Sequence, residues 1–264
     1  METLKNKAIG VMDSGVGGLT VLKQLVEIAP NENYLYFGDT KNLPYGEKSK
    51  DELISIAKKV FDFYAQKQVK AVVMACNTTS ATVYDELKDN YDFKIYPIIQ
   101  VVSKILAQDN KLNRVAIMAT KATVNSHKYR DEFLFNNPKI NVFEHACPMW
   151  VPVVENKLVN YDKNDVITQY LDAVLAFEPQ KVVLGCTHYP YLLDELSKFA
   201  SRDLFVNPSK LFADFIINDL AEMNLLTDNS IGSVEYFASS DADAFKKNAR
   251  LFMTIDDKPE LVLL

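Results

Sequence analysis

Short apolar runs and helix-spaced apolar stripes alternate along the chain. Ala8-Ile9-Gly10-Val11-Met12 reads as a buried strand. Leu22, Leu25, Val26 and Ala29 then recur at helical spacing, and Pro30 stops that helix. Tyr34-Leu35-Tyr36-Phe37 is the next predicted strand, followed by a polar loop holding Pro44-Tyr45-Gly46. Ser49 is the expected N-cap of a helix whose buried face carries Leu53, Ala57, Val60, Phe61 and Tyr64. Residues 69–75 make the third strand, with a helix after it.

The rhythm restarts near Arg114. Val115-Ala116-Ile117-Met118-Ala119 is a strand ending at Thr120, and residues 140–143 and 182–185 are two more, each separated from the last by helical or irregular chain. Strands alternating with helices imply an α/β fold whose sheets are mainly parallel. The strand ending at Asp13 corresponds to the one ending at Thr120, and the strand leading to Cys76 to the one leading to Cys186, at nearly equal steps. Two pseudo-symmetric α/β lobes are therefore expected, with the active site between them. No Pro/Gly-rich linker marks the boundary.

Composition narrows the class. With 264 residues and 48% hydrophobic content the chain can bury a sizeable core. The 29 Lys and Arg against 35 Asp and Glu leave a net charge of −6, which gives no global attraction for nucleic acid or an anionic membrane. No apolar run is long enough to span a bilayer, and the first seven residues do not read as a signal peptide. Three cysteines without a CxxC point to free thiols in a reducing cytoplasm rather than to a disulfide framework.

Two of those cysteines end apolar strands and lead into small polar residues: Val72-Val73-Met74-Ala75-Cys76-Asn77-Thr78 and Val182-Val183-Leu184-Gly185-Cys186-Thr187-His188. Each segment then reaches an Asp-Glu-Leu triplet, at 85–87 and 194–196. In parallel sheets ligands bind beyond the carboxyl ends of strands. A helix N-terminus there is expected to lower a thiol pKa from about 8.5. Cys147 lacks such a setting and reads as structural.

Asp13-Ser14-Gly15-Val16-Gly17-Gly18 follows the first strand and brings backbone N–H groups within reach of an anion. Its spacing is neither GxGxxG nor a Walker loop, which favours a carboxylate or amino acid over a pyrophosphate. Asp13 can bind an ammonium or orient a nearby acid or base. His188 lies two residues beyond Cys186, and Thr120 and Thr123 close the strand mirroring that of Asp13. Glu155 on its own is an ordinary charged residue. A Cys–His hydrolase using one thiol, and a non-catalytic module binding an amino acid or dicarboxylate, remain open at this stage. A metal site built from Cys76, Cys186 and His188 is disfavoured, because their spacing is not that of structural zinc.

Asp13-Ser14-Gly15-Val16-Gly17-Gly18-Leu19, Gly38-Asp39-Thr40, Pro44-Tyr45-Gly46, Ala75-Cys76-Asn77-Thr78 and Leu184-Gly185-Cys186-Thr187-His188-Tyr189-Pro190 together resemble the signature of bacterial glutamate racemases, within the aspartate/glutamate racemase superfamily. The resemblance implies a cofactor-independent, PLP-independent and metal-free cytoplasmic isomerase. It would act on glutamate, supply D-glutamate for peptidoglycan and work as a homodimer. Aspartate racemase is the nearest alternative. The implied lobes are 1–97 with 208–264, and 98–207. The implied catalytic residues are Cys76 and Cys186, assisted by Asp13, His188 and Glu155. The implied substrate contacts are Asp13, Ser14, Tyr45, Gly46, Asn77, Thr78, Thr120, Thr123, Thr187 and His188. Lys41-Asn42-Leu43, Trp150 and Asn207-Pro208 depart from the usual family pattern.

Overall fold

The computed structural model describes residues 3–264. Among the described residues ten strands follow in chain order: β1 (Ile9–Asp13), β2 (Asn33–Gly38), β3 (Ala71–Met74), β4 (Lys94–Pro97), β5 (Arg114–Ala119), β6 (Asn141–Ala146), β7 (Lys181–Gly185), β8 (Phe205–Val206), β9 (Ser233–Ala238) and β10 (Glu260–Leu261). They build two sheets, one ordered β10-β9-β2-β1-β3-β4 and the other β6-β5-β7-β8. Every strand pairing described is parallel. The order β2-β1-β3-β4 repeats as β6-β5-β7-β8, so the predicted repeat is present as matching strand order. The chain leaves the first sheet after β4 through the helix Ile98–Ala107 and returns through the helix Pro208–Glu222 to β9 and β10.

Strand alternation sorts side chains into three apolar layers. Ile9 and Val11, Ala71 and Val73, Val115 and Ile117, and Val183 point into one cluster shared by both sheets. Their neighbours point outward: Met12, Val72 and Met74 on the far side of the first sheet, and Ala116, Met118, Val182 and Leu184 on the far side of the second. Cys76 and Cys186 continue these outward rows. Gly10 in β1 makes room for the Tyr64 ring, since a Cβ there would lie 2.8 Å from two ring carbons.

The helix Lys50–Gln66 starts where expected. Ser49 forms a complete capping box with Glu52, and Leu53, Ala57, Val60, Phe61 and Tyr64 are all buried. β3 is shorter than its apolar run, but main-chain bonds from Lys70 N–H to the Ala8 carbonyl and from Ala75 N–H to the Met12 carbonyl carry the pairing past both ends. β4, β8, β9 and β10 were not marked by hydrophobic pattern. β8 and β10 are two residues long, and β9 exposes Ser233 and Glu235.

Candidate active site

Cys76 lies two residues past β3 and caps the helix Asn77–Thr82, while Cys186 directly follows β7. Both Asp-Glu-Leu triplets close matching four-residue helices, Tyr84–Leu87 and Leu193–Leu196, each burying its leucine. The two segments differ at the cysteine itself. Cys186 does not cap an α-helix; the next helical element is the 3-10 helix Tyr189–Leu192, so the expected helix N-terminus is present at Cys76 alone.

That helix start does not lower the Cys76 thiol pKa. Burial, reinforced by the negative charge of Asp13, pushes it up to about 11. Donors from Thr79 and Ser14 oppose this without winning. The thiol is 6% exposed and lies 3.9 Å from the Ser14 hydroxyl. Desolvation therefore outweighs the local hydrogen-bond donors at this position.

Asp13 ends β1 and is buried. Burial raises its pKa, while the charge of His188 and the N–H groups of Gly18, Gly15 and Ser14 pull it down. One oxygen, Oδ2, accepts from Gly15 N–H at 3.1 Å, and the other has no protein partner. Gly17 presses on the second cysteine segment: a Cβ there would lie 2.5 Å from His188 Cε1 and 2.6 Å from Nδ1. Thr20 Oγ1 lies between the Gly17 carbonyl at 2.5 Å and the Thr187 carbonyl at 3.0 Å, a second contact joining the glycine turn of the first sheet to the cysteine loop of the other.

His188 sits between a thiol and a carboxylate. Nδ1 lies 3.9 Å from Cys186 Sγ, and Nε2 lies 3.0 Å from Glu155 Oε1. Burial alone would lower its pKa, but bonds to Cys186 and Glu155, with the charges of both, lift it to about 10. Burial likewise pushes Glu155 up, and His188 and Lys157 outweigh it, holding the carboxyl down at about 2. The pair is thus an imidazolium and a carboxylate at neutral pH, with Lys157 also bridging Glu155. Phe252 packs edge-on against the His188 ring at 5.1 Å.

The predicted threonines converge from both sheets. Thr78 Oγ1 is 3.2 Å from Thr120 Oγ1 and 3.4 Å from Thr123 Oγ1, and the latter two are 3.0 Å apart. Gly46 adjoins them, since a Cβ there would lie 3.6 Å from the Thr120 Cβ. Tyr45 is buried and donates to Asp39 Oδ2 at 2.6 Å. A cavity of about 500 Å³ opens beside this cluster, lined by Gly46, Lys48, Thr82, Asp85, Ala122 and Asn125. Its lining includes neither cysteine; both thiols are buried.

Cys147 stays out of this constellation. It is buried in the outer apolar layer with Trp150 and Cys186, and burial drives its thiol pKa upward. Trp150 fills that layer, stacked edge-on against Tyr189 at 4.9 Å. Asn207 caps the helix Pro208–Glu222 by accepting from Ser209 N–H. Sequence patterns missed Thr20, Tyr129 and Phe252, because nothing local distinguishes them from other helix or loop residues. Among the described residues no group of three His, Cys, Asp or Glu is arranged to hold a metal ion. Among them, too, no helix is long and apolar enough to cross a membrane.

Fold and site define a two-lobed parallel α/β protein that carries a buried thiol at each of two matching strand ends, one beside a carboxylate and the other beside an imidazolium. Residues 9–207 match the Asp/Glu/Hydantoin racemase family, and the chain belongs to that family. It is 37% identical over 255 residues to glutamate racemase 2 of Caldanaerobacter subterraneus subsp. tengcongensis, covering 95% of this chain and 94% of that one. It is 36% identical to the glutamate racemase of Thermoanaerobacter pseudethanolicus, covering 98% and 97% of the two chains. Among solved structures, the Francisella tularensis glutamate racemase in complex with D-glutamate superposes with a TM-score of 0.90 at 30% identity, covering 98% of each chain. A Bacillus anthracis glutamate racemase isoform gives 0.92 at 27% identity, again covering 98% of each.

Proposed function

We propose that this protein is a glutamate racemase that interconverts L- and D-glutamate by proton transfer between Cys76 and Cys186, without a cofactor. One observation carries the proposal: the two thiols follow equivalent strands of the four-strand order that the two sheets share, which suits proton transfer at one α-carbon from opposite faces. One sulfur, as thiolate, takes the α-proton, and the opposing thiol donates its own proton to the other face. The pair ends with the thiolate and thiol exchanged, so atoms and charge balance. Cys186 takes the proton from L-glutamate and Cys76 from D-glutamate.

The surroundings of the sulfurs support these roles. Burial and Asp13 favour the protonated form of Cys76, the donor in the L-to-D direction. His188 sets a positive charge 3.9 Å from Cys186, held there by Glu155. Asp13, Ser14, Tyr45, Gly46, Asn77, Thr78, Thr120, Thr123, Thr187 and His188 serve as substrate contacts. The unpaired Asp13 Oδ1 and Asn77 Nδ2 are an acceptor for the substrate ammonium and a donor for its carboxylate. Donors fixed in a water-poor site stabilise the charge that develops as the α-proton leaves. With both thiols buried, substrate entry requires the lobes, 1–97 with 208–264 and 98–207, to part. In this function the protein is a cytoplasmic homodimer whose D-glutamate goes to peptidoglycan synthesis.

Exchange in D₂O tests the chemistry. Each enantiomer is expected to yield product labelled at the α-carbon, and Cys76→Ser and Cys186→Ser are each expected to abolish racemisation. Full activity in either variant would overturn the two-thiol mechanism. L-Aspartate assayed beside L-glutamate separates the substrates, and faster turnover of aspartate would reassign the enzyme.

A further inference from the structure

Tyr129 belongs to neither cysteine segment, yet it touches both. It lies in the helix Lys128–Asn136, which packs beside the second sheet, and it is fully buried. Its hydroxyl donates to Asn77 Oδ1 at 2.7 Å, on the residue directly after Cys76. Its ring lies against Gly185, the residue directly before Cys186; a Cβ on that glycine would meet Tyr129 Cε2 at 3.1 Å. The phenol stays protonated, because burial and the nearby Cys186 raise its pKa. It can therefore serve as a permanent donor.

The Asn77 side chain has one donor and one acceptor end, and only the acceptor end is engaged. Nδ2 is buried without a protein partner. A primary amide can turn about its last bond and exchange the two ends. A donor on Oδ1 biases the amide to this orientation, because turning it would leave the buried phenol proton without this acceptor, with only the phenol oxygen left to accept from Nδ2. We propose that Tyr129 is a positioning residue: it locks the Asn77 amide so that Nδ2 points to the substrate carboxylate, and its ring fixes the distance between the two cysteine loops. It rests on the proposed racemase function and adds a residue outside the strand-end motifs.

Losing one neutral orienting bond is expected to lower kcat/KM about fivefold. Asn77 would hold the carboxylate in both the bound substrate and the transition state, so the loss should fall on KM with kcat nearly unchanged. The experiment is a double-mutant cycle with Tyr129→Phe, Asn77→Ala and the pair, assayed with D- and L-glutamate. Tyr129→Phe should raise KM about fivefold in the wild-type background and leave it unchanged in the Asn77→Ala background. Equal effects in the two backgrounds, or wild-type kinetics for Tyr129→Phe, would overturn the proposal. Should Tyr129→Phe fail to fold, Asn77→Asp gives a second test. It keeps an acceptor for Tyr129 but loses the donor and adds a negative charge, so it should bind glutamate at least as poorly as Asn77→Ala. Wild-type KM in Asn77→Asp would also overturn it. Absence of racemisation in the unmodified protein would instead refute the proposed function itself.

Discussion

His188 carries the clearest pH dependence at the scale of single residues. Its pKa is raised from 6.5 to about 10, so the stability it adds is complete below about pH 6.5 and is lost as pH rises through about 10. Glu155 is lowered from 4.5 to about 2, so its contribution is present above about pH 4.5 and is lost as pH falls through about 2. The two shifts describe one shared interaction and do not add. Racemisation should therefore decline on the alkaline side near pH 10, as the positive charge beside Cys186 disappears. Enantiomers have equal free energies, so kcat/KM for L- and D-glutamate must fall together at every pH. Glu155→Gln should move that alkaline limb to lower pH, measured as kcat/KM against pH; an unmoved limb would detach Glu155 from the chemistry. Cys76, Cys186, Asp13 and His188 were legible in the chain because each adjoins a strand end. The direction of the Cys76 shift was not, because it depends on burial and on Asp13, 63 residues away.

At the scale of elements, the loop Asp13–Gly18 and the helix Lys50–Gln66 test different links. The Ser49 capping box is exposed and far from the thiols in function, so Ser49→Ala should lower stability by about 1 kcal/mol and leave KM alone. A denaturation midpoint measured beside steady-state kinetics would check this. Gly17 is the reverse case. An alanine Cβ there would collide with His188 and Thr187, so Gly17→Ala must shift the turn or the His188 ring. Racemisation should fall at least tenfold, and wild-type kinetics would show that the turn yields freely. Helix and strand types were readable from periodicity wherever one face is buried throughout, as in the helix Lys50–Gln66. The short edge strands β8 and β10 were not, since two residues have no period and form only by pairing with a neighbour.

Across the whole molecule, a buried ion pair ties distant segments below the first sheet. Lys70, before β3, donates to Glu32 Oε2 at 2.5 Å, to the Lys5 carbonyl at 2.6 Å and to the Leu225 carbonyl at 2.8 Å. Glu32 in turn accepts from Thr227 N–H at 2.8 Å. Both charged side chains are buried, and burial draws the Lys70 pKa down against the pull of Glu32. Lys70→Met would strand a buried carboxylate and should cost about 3–5 kcal/mol, read from urea unfolding. A loss under about 1 kcal/mol would mean that solvent reaches Glu32. Neither residue stood out in the sequence, because a lysine before a strand is ordinary until its partners are known.

Periodicity and strand-end chemistry are local properties, and the chain alone determined them: alternating strands and helices, the internal repeat, two free thiols in matched settings, and the glycine turn after β1. Which side chains meet across the two sheets depends on packing between segments far apart in sequence, and only the tertiary structure decided it. It joined Thr78 to Thr120 and Thr123, His188 to Glu155, and Tyr129 to Asn77. It also decided how burial changes each group, raising the Cys76 thiol pKa where a helix N-terminus by itself would have lowered it.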